Sequence, residues 1–253
     1  MAEPPKLQVI VTAGLPNRRT VTAGRRQATY PTACPKYRVK VSHRDTSRPR
    51  SRHRAGVPAP ATETVGALAG SLQVGDIVFT RIGAYPFRKV ADATGTWTNH
   101  VGIVLDVSGP EPLIGESRFP FSGRTTLKRF VARSAGGRVA VMRLPAPLTV
   151  SQQAAIVAAA TQREHVFYDT GFDAHSQRQF CSRYVREVLQ QGAGVEVGRV
   201  ETFRALLQSA PQADVGFWRV WYFGSIPWQR ETVTPASVLH TPGLRTVFDG
   251  VAA

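Results

Sequence analysis

One run of residues narrows the fold more than any other. His100-Val101-Gly102-Ile103-Val104-Leu105 is apolar throughout after its first residue, and Val107-Ser108-Gly109-Pro110-Glu111 follows it as a turn. A short apolar run bounded in this way reads as a buried strand. Pro112–Ser117 then reads as a second strand, returning antiparallel. Gly75-Asp76-Ile77-Val78-Phe79-Thr80 is a turn leading into another strand, and Arg138–Leu144 alternates with Val139 and Val141 on one face. Residues 81–98 read as a loop with a short helix near Arg88–Ala93. Thr149–Ala160 is helical with Ser151 as its N-cap, and Phe180–Gln191 is an amphipathic helix with Val185, Val188 and Leu189 on one face and Gly192 as its stop. Residues 201–209 form a short helix. The aromatic segment Val215–Phe223 reads as a core strand, and Thr234-Pro235 caps and opens a last helix. Strands and helices do not alternate as βαβ units, so the expected class is α+β.

Charge divides the chain. Residues 1–56 hold 13 Lys and Arg against 2 Asp and Glu, whereas residues 57–253 hold 19 against 15. The formal charge of +15 is therefore mostly a property of a Pro- and Arg-rich leading arm, placed at 1–65, with the folded domain at 66–253 and its ordered part opening at Leu72. Such an arm attracts anionic surfaces without specificity and gives no sign of specific nucleic-acid recognition. No stretch approaches the ~18–20 apolar residues needed to span a bilayer. The first residues lack the basic start and apolar length of a secretory signal, so the expectation is a cytoplasmic location or export by another route. Two cysteines, Cys34 and Cys181, make no disulfide framework.

Cys181 opens the helix that begins Phe180-Cys181-Ser182-Arg183, and His100 opens the buried strand. A cysteine attacks as its thiolate, and both a helix N-terminus and a neighbouring imidazole favour that form. Alone, Cys181 reads as a small buried hydrophobe and His100 as a strand-end residue; together they make a nucleophile and base. If the two strands pair about a turn centred on Ser108 or Gly109, His100 faces Glu116 or Arg118. Glu116 is the chemically sensible partner, since a carboxylate orients the ring and stabilises imidazolium. His165 and His175 near Asp169 and Asp173 lack the spacing of a metal site, and no metal or other cofactor is expected. The two aspartates read as ordering the loop ahead of Cys181. Gly192-Ala193-Gly194 ends a helix and is no phosphate loop.

These residues resemble the circularly permuted branch of the NlpC/P60 papain-like superfamily, the YiiX/YebB-like proteins. The resemblance rests on Gly75-Asp76-Ile77-Val78-Phe79, Asn99-His100-Val101-Gly102-Ile103, Glu116, Tyr168-Asp169, Phe172-Asp173, Phe180-Cys181-Ser182 and the ending Val233-Thr234-Pro235-Ala236-Ser237 with Pro242. It covers roughly 72–250, and His precedes Cys as the permuted order requires. It implies a small antiparallel sheet packed against the Cys-bearing helix, with Cys181 as nucleophile, His100 as base and acid, Glu116 as third member, and the Cys181 N–H in an oxyanion hole. Arg183 stands where that family usually has Glu, which changes the charge beside the nucleophile. Tyr85, Trp97 and Tyr168 are candidate substrate-binding aromatics. The expected activity is amide cleavage, as of peptidoglycan-type peptides. The alternatives are acyl-lipid chemistry of the lecithin:retinol acyltransferase type and a non-catalytic binding module.

Overall fold

The computed structural model describes residues 61–253; the basic arm up to residue 60, and Cys34 within it, lie outside the described residues. In chain order the elements begin with β1 (Ala61–Glu63), α1 (Val65–Ser71), β2 (Ile77–Ile82), α2 (Tyr85–Thr94), β3 (His100–Asp106), β4 (Leu113–Ser117), β5 (Ser122–Thr126), α3 (Leu127–Ala132) and β6 (Ser134–Arg143). They continue with α4 (Val150–Thr161), α5 (Cys181–Ala193), β7 (Val200–Thr202), α6 (Phe203–Ser209), α7 (Val215–Trp221), β8 (Glu231–Val233), α8 (Pro235–Leu239) and β9 (Arg245–Ala252). Among the described residues no helix is long and apolar enough to cross a membrane.

Seven strands share one sheet in the order β1-β9-β6-β2-β3-β4-β5. All its pairings are antiparallel except β1 on β9. The α+β class therefore holds, with a sheet widened at one edge by β9 and β1. Strand β3 sits in the interior, covered on both faces, which is why its sequence is apolar without alternation. Val101, Ile103 and Leu105 join Ile77 and Phe79 under α4 and α5. Val104 joins Val78, Ile114, Val139 and Val141 against Phe130 of α3 and Leu68 of α1. A third cluster, centred on Trp218, gathers residues of α2, α6 and α7.

Several boundaries depart from the sequence reading. Ala61–Glu63, placed in the arm, pair with Gly250–Ala252, so order begins before Leu72. Segment 215–223 is the helix α7 with the turn that follows it, rather than a strand. Asp214 caps it through Phe217 N–H at 2.9 Å, and its aromatics recur at helical spacing, burying Trp218 while Phe223 stands outside. Thr149, not Ser151, caps α4, in a reciprocal capping box with Gln152. Helix α5 runs past Gly192 to Gly194, whose φ of 70° ends it. Gly192 serves packing instead, because a Cβ there would lie 2.6 Å from the Ile156 backbone of α4.

Two anchors fix the start of α5. Ahead of it, Ser117 Oγ of β4 donates to Gln179 O at 3.0 Å; behind it, Ser182 Oγ donates to Val233 O of β8 at 2.7 Å. The Gly75-Asp76 turn anchors β2. Asp76, buried, accepts from Arg143 Nε and Nη2, each at 2.7 Å, and from Gln73 N–H at 2.8 Å. That motif therefore builds the sheet rather than the site.

Candidate active site

Cys181 is the first residue of α5 and is 3% exposed. Phe180 before it is extended and offers no side-chain cap, so the N–H groups of the first turn remain available to a ligand. Ser182 and Tyr184 point into the fold, which leaves the helix no freedom to roll.

His100 opens β3, so its ring stands at the strand's end. The observed β3–β4 register pairs Ile103 with Gly115 and Val104 with Ile114. Continued to the strand's start, this sets His100 opposite Arg118, the second of the two expected registers, with Glu116 on the diagonal. Diagonal neighbours on one face are within reach of long side chains. Gly102 follows on the same face of β3, where a Cβ would lie 2.6 Å from Ile114 and 2.9 Å from the Phe130 ring. Glu116 Oε2 accordingly meets His100 Nε2 at 2.6 Å. Its other oxygen, Oε1, accepts from Arg133 Nη2 at 2.6 Å, with Arg118 Nε at 3.5 Å.

Burial acts on both members of this pair. For His100 it is the largest influence and lowers the pKa, but the nearness of Cys181 and the bond to Glu116 override it, and the ring is raised to about 9. For Glu116 burial raises the pKa, yet bonding to His100 and the charges of His100 and Arg133 hold it below the usual carboxylate range. Nε2 of His100 is thus spent on Glu116, while the buried Nδ1 has no hydrogen-bond partner within the protein. Burial, followed by the nearness of Cys181, pushes the Tyr168 hydroxyl well above its ordinary range.

Of the three aromatics expected at the site, only Tyr168 lines the cavity that Cys181 opens into. Tyr85 is exposed and sits edge-on to Phe217, and Trp97 lies beneath the Arg138 guanidinium, 4.4 Å from the ring centroid. Arg183 does not face a substrate: it pairs with Glu187 at 2.7 Å and donates to the carbonyls of Asp173, Ser176 and Arg178. It staples the loop ahead of Cys181. Asp169 orders the same loop by accepting from the N–H groups of Gly171 and Asp173. His175 pairs with Glu231 at the surface. Arg133, Phe172 and Trp218 were not legible as site residues; the nearest signal for the last two was their place among clustered aromatics.

A model of the family described as permuted papain-like amidase enzyme, YaeF/YiiX, C92 family, matches residues 71–248. The chain belongs to the permuted papain-like amidases. One curated relative, the uncharacterized protein YiiX of Escherichia coli strain K12, is 29% identical over 184 residues, spanning 73% of this chain and 90% of its own. A crystal structure described as metalloprotein yiiX from Escherichia coli O157:H7 superposes with a TM-score of 0.63 at 26% identity, covering 72% of this chain and 99% of its own. In this permuted amidase the match begins at the last residue of α1, so β1 and most of α1 precede it, while the strand that carries His100 and the helix that carries Cys181 lie within it.

Proposed function

We propose that this permuted papain-like amidase cleaves an amide through a thioester on Cys181, with His100 as general base and then acid and Glu116 as the group that orients it. The observation carrying this reading is the His100 ring, bonded through Nε2 to a buried carboxylate and drawn to a pKa of about 9 by Glu116 and Cys181 together. Nδ1, left unpartnered, is the nitrogen available to take the thiol proton. The resulting thiolate attacks the amide carbonyl, and the oxyanion that forms is met by N–H groups at the start of α5, where the helix dipole also favours negative charge. As the C–N bond breaks, the imidazolium returns its proton to the departing amine. A water deprotonated by the same imidazole then cleaves the thioester, releasing the acid and restoring the thiol.

The neighbour's description as a metalloprotein raises the question of a metal here. Among the described residues no group of three or more His, Cys, Asp and Glu side chains is placed to hold one. Glu116 beside His100 already carries two guanidinium partners. The donor set does not fit a cation, and no step above runs through one.

Labelling tests the reading without a known substrate. An electrophilic thiol probe should modify Cys181 in the folded protein, and a His100→Ala variant should lose at least 10-fold in labelling rate. Equal rates in the two proteins, with both folded by circular dichroism, would remove His100 as the activating base.

A further inference from the structure

We propose that an aromatic surface built by the end of α7 and two neighbouring loops, 118–121 and 166–170, docks on an anionic phospholipid bilayer. The proposal goes beyond the amidase chemistry and does not depend on it. Among the described residues the exposed aromatic side chains are Tyr85, Phe119, Phe121, Phe167 and Phe223. They are not scattered. Phe121 and Phe167 meet with ring centroids 4.7 Å apart, and Pro120 O, between Phe119 and Phe121, accepts Tyr168 N–H at 2.9 Å, which ties the two loops together. Phe119 and Trp221 wall one hollow, and Trp221, Val220 and Phe223 wall the next, with Thr170 and Phe217 common to both. Tyr85 stands edge-on to Phe217 at 5.6 Å. Val220 is 78% exposed and Phe223 wholly so. Apolar side chains gathered in this way on a surface mark an interaction site, where single ones do not.

Phe223 carries the argument furthest. Helix α7 ends in a Schellman turn: Gly224 N–H donates to Arg219 O at 2.7 Å, and Phe223 N–H donates to Val220 O at 3.0 Å. The residue before Gly224 is then left-handed, a place glycine usually takes. Phe223 takes it instead, with φ of 53°. A bulky side chain strains the backbone there, and burial returns nothing, because the ring lies entirely in solvent. Glycine would serve the fold as well or better. The ring is explained by a contact outside the fold.

Charge selects the partner. Arg88 lies over the Tyr85 ring, 5.6 Å from its centroid, Arg219 is exposed on α7, and Arg118, next to Phe119, is half-exposed. Acidic groups offset little of this. Asp214, the cap of α7, pairs with Lys89 at 2.8 Å, and Asp173 pairs with Arg230 at 3.6 Å, leaving Asp92 of α2 against three arginines. An apolar centre with a cationic margin matches a phospholipid interface, where rings enter the headgroup layer and cations meet phosphates. A fluid interface also accepts side chains that project from separate turns, which a folded protein partner would have to match one by one.

Sedimentation of the full chain with vesicles tests this. The protein should bind vesicles of phosphatidylglycerol and phosphatidylcholine at least 10-fold more tightly than vesicles of phosphatidylcholine alone. Phe223→Gly should weaken that binding about 10-fold, since removing one phenylalanine ring from water is worth a factor of roughly 10 or more. Its melting temperature should be equal or higher, and its Cys181 labelling rate unchanged. Val220→Ser should weaken binding in the same direction. Binding that both variants leave intact overturns the proposal and assigns the attachment to the charge of the leading arm. A melting temperature lowered by Phe223→Gly shows that the ring serves the fold, and overturns it too. Absence of vesicle binding overturns it outright; if sedimentation equilibrium then shows a dimer that Phe223→Gly dissolves, the surface belongs to a second copy of the chain.

Discussion

Glu116 divides its two oxygens between opposite tasks: one holds the His100 ring, and the other is neutralised by Arg133 with Arg118 nearby. A carboxylate with no solvent exposure stays ionised only because those partners outweigh its desolvation. His100 is the beneficiary, and its raised pKa gives the pH dependence a definite sign. The group is charged below its folded value, so the imidazolium of the proposed ion pair persists through neutrality and is lost as pH rises through about 9. Any stability from the shift is likewise complete below the ordinary value of 6.5 and fades as pH rises through about 9. The alkaline limb of kcat/KM should therefore fall near pH 9. In Glu116→Gln it should move down toward the ordinary imidazole range, with a loss of roughly 10²-fold or more at neutral pH, as expected when the orienting carboxylate is replaced. A pH–rate profile unchanged by the substitution would contradict the assigned role. The placement of Cys181 at a helix start and of His100 and Glu116 on adjacent strands could be anticipated from the sequence, because strand pairing and helix starts have local signatures. Arg133 could not, since only the fold brings the end of α3 to the β4 carboxylate.

At the scale of elements, the nucleophile's position depends on how closely α4 and α5 approach. Gly192 was legible only as a helix stop, because sequence shows its conformational freedom but not the helix packed across it. In the fold it is an interior position of α5 that faces Ile156 without space for a methyl group. Gly192→Val should destabilise the protein by about 1–3 kcal/mol, the range for overpacking a filled core. Urea denaturation should show this as a lower midpoint at unchanged slope. Because α5 carries Cys181 at its far end, the thiol's reaction with an electrophilic probe should slow as well. The misread α7 has a comparable cause: Val215, Phe217, Trp218 and Val220 have β-favouring side chains, and Asp214 overrides that preference with a cap while Trp218 finds a three-helix cluster. Tertiary burial decided the element, as local propensity alone could not.

For the whole molecule, the strand added at the sheet's edge sets the minimum length that folds. β1 lies so tightly on β9 that a Cβ at Gly250 would come within 2.0 Å of Ala61 O. The adjoining α1 buries Leu68 completely and Leu72 nearly so beneath the sheet face that holds Val104 and Ile114. The family match begins at residue 71, and a boundary drawn from sequence at Leu72 would discard both elements. The described residues fall within one compact unit. A fragment of residues 56–253 should thus unfold cooperatively at the full chain's melting temperature and keep its Cys181 labelling rate. A fragment of residues 72–253 should lose that transition, since removing one large buried leucine side chain alone costs about 2–5 kcal/mol against a total stability of about 5–15 kcal/mol. The shorter fragment also leaves the β9 edge and an apolar sheet face bare, so it should sediment as aggregate where the longer one stays monodisperse. Equal melting curves for the two fragments would show that β1 and α1 are ornaments on the sheet, and that the interior strands carrying His100 and Glu116 hold without them.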